Sequence, residues 1–172
     1  GEFNTPETTL SGFLDGMPLA TATGRCWKAL AKTIPGFAPV EDANVIMVGA
    51  RDLDDEEKRQ LEQSDINLVK YENQDDEAIL ESIEAGLSSM QSRVTGIYLH
   101  IDMDAFEIAE GTANHYGATG GLSADLIVKA IDLIKSRYIL ISATIASFDP
   151  AGDTKGLFLQ AGLRCARRMA SP

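Results

Sequence analysis

Apolar positions along this chain follow two alternating rhythms: short unbroken runs, and longer stretches in which they recur every three or four residues. The run at 44–50, Asn44-Val45-Ile46-Met47-Val48-Gly49-Ala50, is short, apolar and followed by charge, as expected of a strand buried on both faces of a parallel sheet. Residues 66–71 predict a second strand, 94–104 a third, and 138–148 a long β-branched fourth. A helix is predicted over 52–63, with acids in its first turn at the positive end of the dipole. Another spans 75–90, with Ile79, Leu80, Ile83 and Leu87 on one face. A third spans 123–135, capped by Ser123, with Leu126, Ile127, Ala130, Ile131 and Ile134 inward. The last, over 154–169, places Arg164, Arg167 and Arg168 near its negative end. Ahead of these, 16–33 fits a helix entered after Pro18 and interrupted near Gly24, and 2–15 reads as an irregular loop rich in hydroxyl side chains.

Strands alternating with helices imply an α/β fold: an open parallel sheet with helices on both faces, whose sites lie at the carboxyl ends of the strands. At 172 residues, without internal repeats or a linker, the chain is expected to be one domain or a piece of one. It opens on Gly1-Glu2-Phe3 without an initiator Met, which suggests a chain cut from something longer.

Composition narrows the function classes. Hydrophobic residues make up 44% and no apolar run approaches the roughly 20 residues of a membrane span, so a membrane partner is not expected. The net charge of −11 would repel a phosphate backbone, which argues against nucleic acid. Cys26 and Cys165 are far apart and in no metal-ligand spacing, and the N-terminus carries no basic-then-apolar signal. Two reduced thiols and a cytoplasmic setting follow.

The strongest chemical signal is Leu99-His100-Ile101-Asp102-Met103-Asp104, because strand alternation puts His100, Asp102 and Asp104 on one side at the strand's carboxyl end. Two carboxylates and an imidazole converging there suit a divalent metal; the plainer alternative is a solvated strand end with helix-capping aspartates. Arg51-Asp52-Leu53-Asp54-Asp55-Glu56-Glu57 follows a buried strand and either recognises a cationic ligand or simply stabilises a helix start. Gly120-Gly121-Leu122-Ser123 is a tight turn, too short for a phosphate loop. Asp149 before Pro150, at another strand end, reads either as a turn or as a carboxylate placed at the rim. G-x-S-x-G is absent, so His100 and His115 have no nucleophile elbow to serve.

Taken in order, these segments resemble the arginase, agmatinase and formiminoglutamase family of ureohydrolases. Residues 2–18 look like the family's loop after its D-A-H-x-D metal motif, running through N-T-P to S-G-N-L-H-G-x-P. Val48-Gly49-Ala50-Arg51-Asp52-Leu53-Asp54 resembles V-G-x-R-D-x-D, Ile101-Asp102-Met103-Asp104 resembles the start of D-x-D-x-x-D-P, and Gly120-Gly121-Leu122-Ser123 the glycine turn that follows. The resemblance implies the C-terminal part of a single three-layer α/β/α domain whose first strands lie outside this chain. It implies a pair of manganese ions (Mn2+) held in part by Asp102, Asp104 and Glu2, and a small amidine or guanidino substrate whose amino-acid end meets Asn4, Thr9, Ser11 and Asp54. Water activated by the metal pair would hydrolyse a C–N bond. Asp15 stands where the family has its proton-shuttling His and is the candidate catalytic residue.

The chain also departs from the family pattern. Phe13 replaces an Asn, Glu107 the last Asp of D-x-D-x-x-D, and Ser147 the Glu that pairs with the guanidinium, while the D-A-H of the first metal motif is absent. A fragment inactive on its own is expected, and its truncated sheet should either favour a homo-oligomer or leave it marginally stable. The alternative is a metal-poor pseudoenzyme of the same fold serving assembly or regulation. A magnesium site of a phosphatase-like enzyme is a weaker third reading, since no phosphate loop accompanies it.

Overall fold

The computed structural model describes residues 2–71, 75–107 and 118–171, so His115 lies outside the described residues. The chain divides into two compact units, Gly1–Leu68 and Val69–Pro172. Among the described residues the strands form two separate pairs, β1 (Ile46–Val48) with β2 (Asn67–Val69) and β3 (Gly96–Asp102) with β4 (Ile139–Ala146). The expected α/β fold is present, its strands paired as β1–β2 and β3–β4 among the described residues.

In the first unit the helix expected over 16–33 is broken into α1 (Pro18–Ala22) and α2 (Lys28–Ala31). Gly24 (φ 77°) and Trp27 (φ 47°) both take left-handed backbone, which a right-handed helix cannot contain. Likewise α3 (Asp55–Glu62) starts later than residue 52, because Asp52 has a φ of 53° and Asp54 becomes the N-cap. Phe3, Met17, Ala20, Cys26, Leu61 and Ile66 form the core, with Val45 and Met47 packed against it. Burying each large side chain contributes about 1.5–3 kcal/mol. Arg25 lies 4.3 Å over the Phe3 ring and grips Asp42 through both terminal nitrogens, at 2.8 and 2.5 Å. Its guanidinium holds the Asp42 carboxyl below the usual carboxylate range.

In the second unit α4 (Asp76–Met90) is capped by Asp75, which accepts from the Glu77 and Ala78 amides at 3.0 and 3.1 Å. It buries Ile79, Ile83, Leu87 and Met90, but not Leu80, which the helical spacing had also placed inward. Ser123 caps α5 (Ala124–Arg137) through the Leu126 amide at 3.1 Å, as its position suggested. Helix α6 (Leu157–Ala170) begins at Leu157 rather than residue 154, after Gly156 in left-handed backbone. Helices α5 and α6 pack on β4 and on one another, and α4 packs on α5. Ion pairs Arg164–Asp125 and Arg168–Asp132 cross between α5 and α6.

Strands β3 and β4 are parallel, with His100 beside Thr144 and Asp102 beside Ala146. Alternation gives Ile101 a buried side chain while Tyr98 and His100 are exposed. Tyr98, Ile139 and Ile141 are 58, 73 and 71% exposed, so helices cover one face of this pair and the other is open. No described helix is long and apolar enough to cross a membrane, and both cysteines are free and buried.

Candidate active site

Two clusters, one in each unit, gather the residues singled out in the sequence. In the first unit the opening loop folds on itself through its hydroxyls. The Thr8 hydroxyl donates to Asn4 Oδ1 at 2.9 Å and accepts the Thr5 amide at 2.8 Å. Thr9 and Ser11 hydroxyls lie 3.3 Å apart and accept the Gly12 and Phe13 amides at 3.1 and 3.2 Å. Asn4 Nδ2 donates to Asp54 Oδ2 at 3.0 Å, joining the loop to the start of α3. Thus Asn4 and Asp54 are in contact, as are Thr9 and Ser11.

Their surroundings differ. Asn4 is buried, with both ends of its amide bonded, whereas Ser11 is exposed and Thr9 and Asp54 are half-buried. Asp15 lies exposed on a single 3-10 turn, Leu14–Gly16. The Glu2 carbonyl accepts the Leu19 and Ala20 amides at 3.0 and 3.3 Å, fixing the entry to α1. Glu57, only 1% exposed, accepts the Phe3 amide at 2.8 Å and the Asp54 amide at 3.3 Å. Sequence reading missed this role, having taken the acids here either as recognising a cationic ligand or as stabilising the helix start. The spacing Asp54-x-x-Glu57 is a capping-box signature that reveals it.

In the second unit β3 ends at Asp102, and Asp104 sits on a 3-10 turn, Met103–Ala105. This corrects the expectation that alternation along one strand aligns all three side chains. Asp102 and Asp104 are joined instead through the turn, the Asp104 amide donating to Asp102 Oδ1 at 3.0 Å. Asp102 Oδ2 accepts the Ser147 hydroxyl at 3.0 Å, from the end of β4. A ring nitrogen of His100 and a carboxylate oxygen of Asp102 lie within 4.8 Å of each other, and the Tyr98 hydroxyl meets His100 Nδ1 at 3.4 Å.

Below this cluster Glu107 Oε2 accepts two amides, Gly120 and Gly121, each at 2.9 Å. The Glu107 amide donates to the Leu122 carbonyl at 3.0 Å, and the Leu122 amide to the Ala105 carbonyl at 2.9 Å. A Cβ at residue 121 would lie 2.3 Å from the Phe106 carbonyl oxygen, so only glycine fits. The glycine turn was legible in the sequence; the carboxylate that holds it was not.

The His100 imidazole and the Asp102 carboxylate, close together at the carboxyl end of β3, are donor types that suit a divalent metal. Hydrogen bonds from the Ser147 hydroxyl and the Asp104 amide orient the Asp102 carboxylate.

Known proteins resemble the chain throughout. It is 27% identical over 156 residues to the arginase of Bacillus caldovelox, covering 90% of this chain and 52% of that protein. It is 29% identical over 156 residues to the arginase of Bacillus subtilis, with the same coverage. The crystal structure of the Bacillus subtilis arginase superposes with a TM-score of 0.88 at 26% identity, covering 100% of this chain and 59% of the other. The formimidoylglutamase of Bacillus subtilis shares the fold at a TM-score of 0.74 and 16% identity, over 94% of this chain and 47% of that one. The chain therefore spans about half the length of the curated relatives it matches, and part of the family sheet lies outside it. The arginase family model matches residues 1–170, and the chain belongs to the arginase family.

Proposed function

We propose that this chain is the C-terminal part of a single arginase-like domain that hydrolyses a C–N bond of a linear amidine or guanidino compound at a dinuclear manganese site. The observation that carries this reading is Asp102 at the end of β3, with a carboxylate oxygen within 4.8 Å of a His100 ring nitrogen and with Asp104 on the turn that follows. Asp102 and Asp104 would supply ligands, together with Glu2, which occupies a metal-motif position in the family pattern. When bound, such a metal pair lowers the pKa of water and offsets charge developing on the reacting oxygen.

The chain's own side chains then bind and move protons. Asp54, with Thr9 and Ser11, receives the amino-acid end of the substrate, the carboxylate facing its ammonium and the hydroxyls its carboxylate. Asn4, buried with both ends of its amide engaged, orients Asp54. As water adds to the amidine carbon and the C–N bond breaks, the leaving nitrogen needs one proton. Asp15, exposed on its turn, carries it there.

The remaining ligands of the family's D-A-H-x-D motif are not in these 172 residues, so we propose that the chain is inactive alone. A cytoplasmic setting fits its free thiols. Self-association is supported by the exposed Tyr98, Ile139 and Ile141. The deciding experiment is calorimetric manganese titration of this chain beside one extended N-terminally by a D-A-H-x-D segment, followed by screening for urea or ammonia release. Two ions and turnover in the extended chain alone are expected. Absence of manganese binding by either would leave the pseudoenzyme reading in its place.

A further inference from the structure

Ser147 follows β4 directly and has a φ of 61°, left-handed backbone that residues with a Cβ rarely adopt. The register explains what this conformation accomplishes. Ala146 lies beside Asp102, so in a strand continued past Ala146 the next side chain would project to the opposite face. The left-handed turn returns the Ser147 hydroxyl to the Asp102 side, where it donates to Oδ2 at 3.0 Å. The other carboxylate oxygen takes the Asp104 amide at 3.0 Å. Asp102 is therefore held at both oxygens, one donor coming from its own strand end and the other from the neighbouring strand.

We propose that Ser147 is a positioning residue: its hydroxyl fixes the rotation of the Asp102 carboxylate, and the unfavourable backbone at Ser147 is retained for that contact. The functional consequence, a preset metal ligand, rests on the manganese reading above. The contact itself does not, and a measurement on metal-free protein tests it separately. Neighbouring ligand-holding groups of this kind typically change metal affinity 10- to 100-fold when removed.

The test uses the chain extended N-terminally by a D-A-H-x-D segment, carrying Ser147→Ala, Ser147→Gly or Ser147→Asn. Alanine removes the hydroxyl and keeps the strain, glycine removes both, and asparagine tolerates left-handed backbone while offering a side-chain N–H. Manganese titration should show affinity reduced about tenfold in the alanine and glycine variants and restored to within about twofold by asparagine. In metal-free protein, a thermal cycle of Ser147→Ala with Asp102→Ala should be non-additive, the serine change losing most of its effect once Asp102 is gone. Unchanged manganese affinity in both the alanine and glycine variants, or additive thermal shifts, would overturn the proposal. An extended wild-type chain that takes up no manganese would overturn the metal reading, leaving the cycle to decide the role of Ser147.

Discussion

The side-chain amide of Asn4 joins two distant segments, donating to Asp54 Oδ2 at 3.0 Å while accepting the Thr8 hydroxyl at 2.9 Å. Because Asn4 is buried at 5% exposure, its replacement strands both partners. Asn4→Ala should cost about 1–3 kcal/mol of stability, read by urea unfolding. Asp54→Asn should cost less, since an amide oxygen can still accept.

Glu57 performs a second tie, accepting the Phe3 and Asp54 amides with 1% exposure. Glu57→Ala should cost about 3 kcal/mol, because two donors lose their partner beneath the core. Glu57→Gln keeps one acceptor oxygen and should cost less than half as much. Equal losses in urea unfolding would count against hydrogen bonding as the cause.

Glycines 120 and 121 should respond differently to alanine. At Gly120, with a φ of 80° and nothing within 4 Å of an added Cβ, the cost is backbone strain of about 1 kcal/mol. At Gly121 a Cβ would meet the Phe106 carbonyl carbon at 2.4 Å, so about 3 kcal/mol is expected. Glu107→Ala, which removes the acceptor of both glycine amides, should lie between them. Thermal midpoints of the three variants give the order.

Two groups set opposite pH limits. Arg25 holds the Asp42 carboxyl below its ordinary value, so this contribution is present above about pH 3.9 and lost as pH falls through the lower folded value. Asp42→Asn should flatten the acid limb of stability against pH. Tyr71 is pushed up to about 12, first by burial and then by its hydrogen bond to Asp76 Oδ1 at 2.8 Å and the nearby Asp75 and Glu107 charges. Its contribution is complete below about pH 10 and lost as pH rises through the folded value. Absorbance titration of tyrosinate should show one late-titrating tyrosine that disappears in Tyr71→Phe.

The open face of β3 and β4 should govern association. Sedimentation of the wild-type chain should show concentration-dependent oligomers, and Ile139→Lys with Ile141→Lys should shift them towards monomer. A monomer at all concentrations would refute this.

Sequence alone determined the order of strands and helices, the cap at Ser123 and the family motifs, because spacing and local hydrogen bonding act over a few residues. It could not place the left-handed residues that shortened these elements, Trp27, Asp52 and Ser147, since no glycine marks them. Nor could it find Glu57 beneath Phe3, Glu107 beneath the glycine turn, or Ser147 on Asp102, contacts spanning 54, 13 and 45 residues. Such contacts depend on which chain segments the packed core brings together. Periodicity announces which face a side chain takes; only tertiary structure decides what stands opposite it.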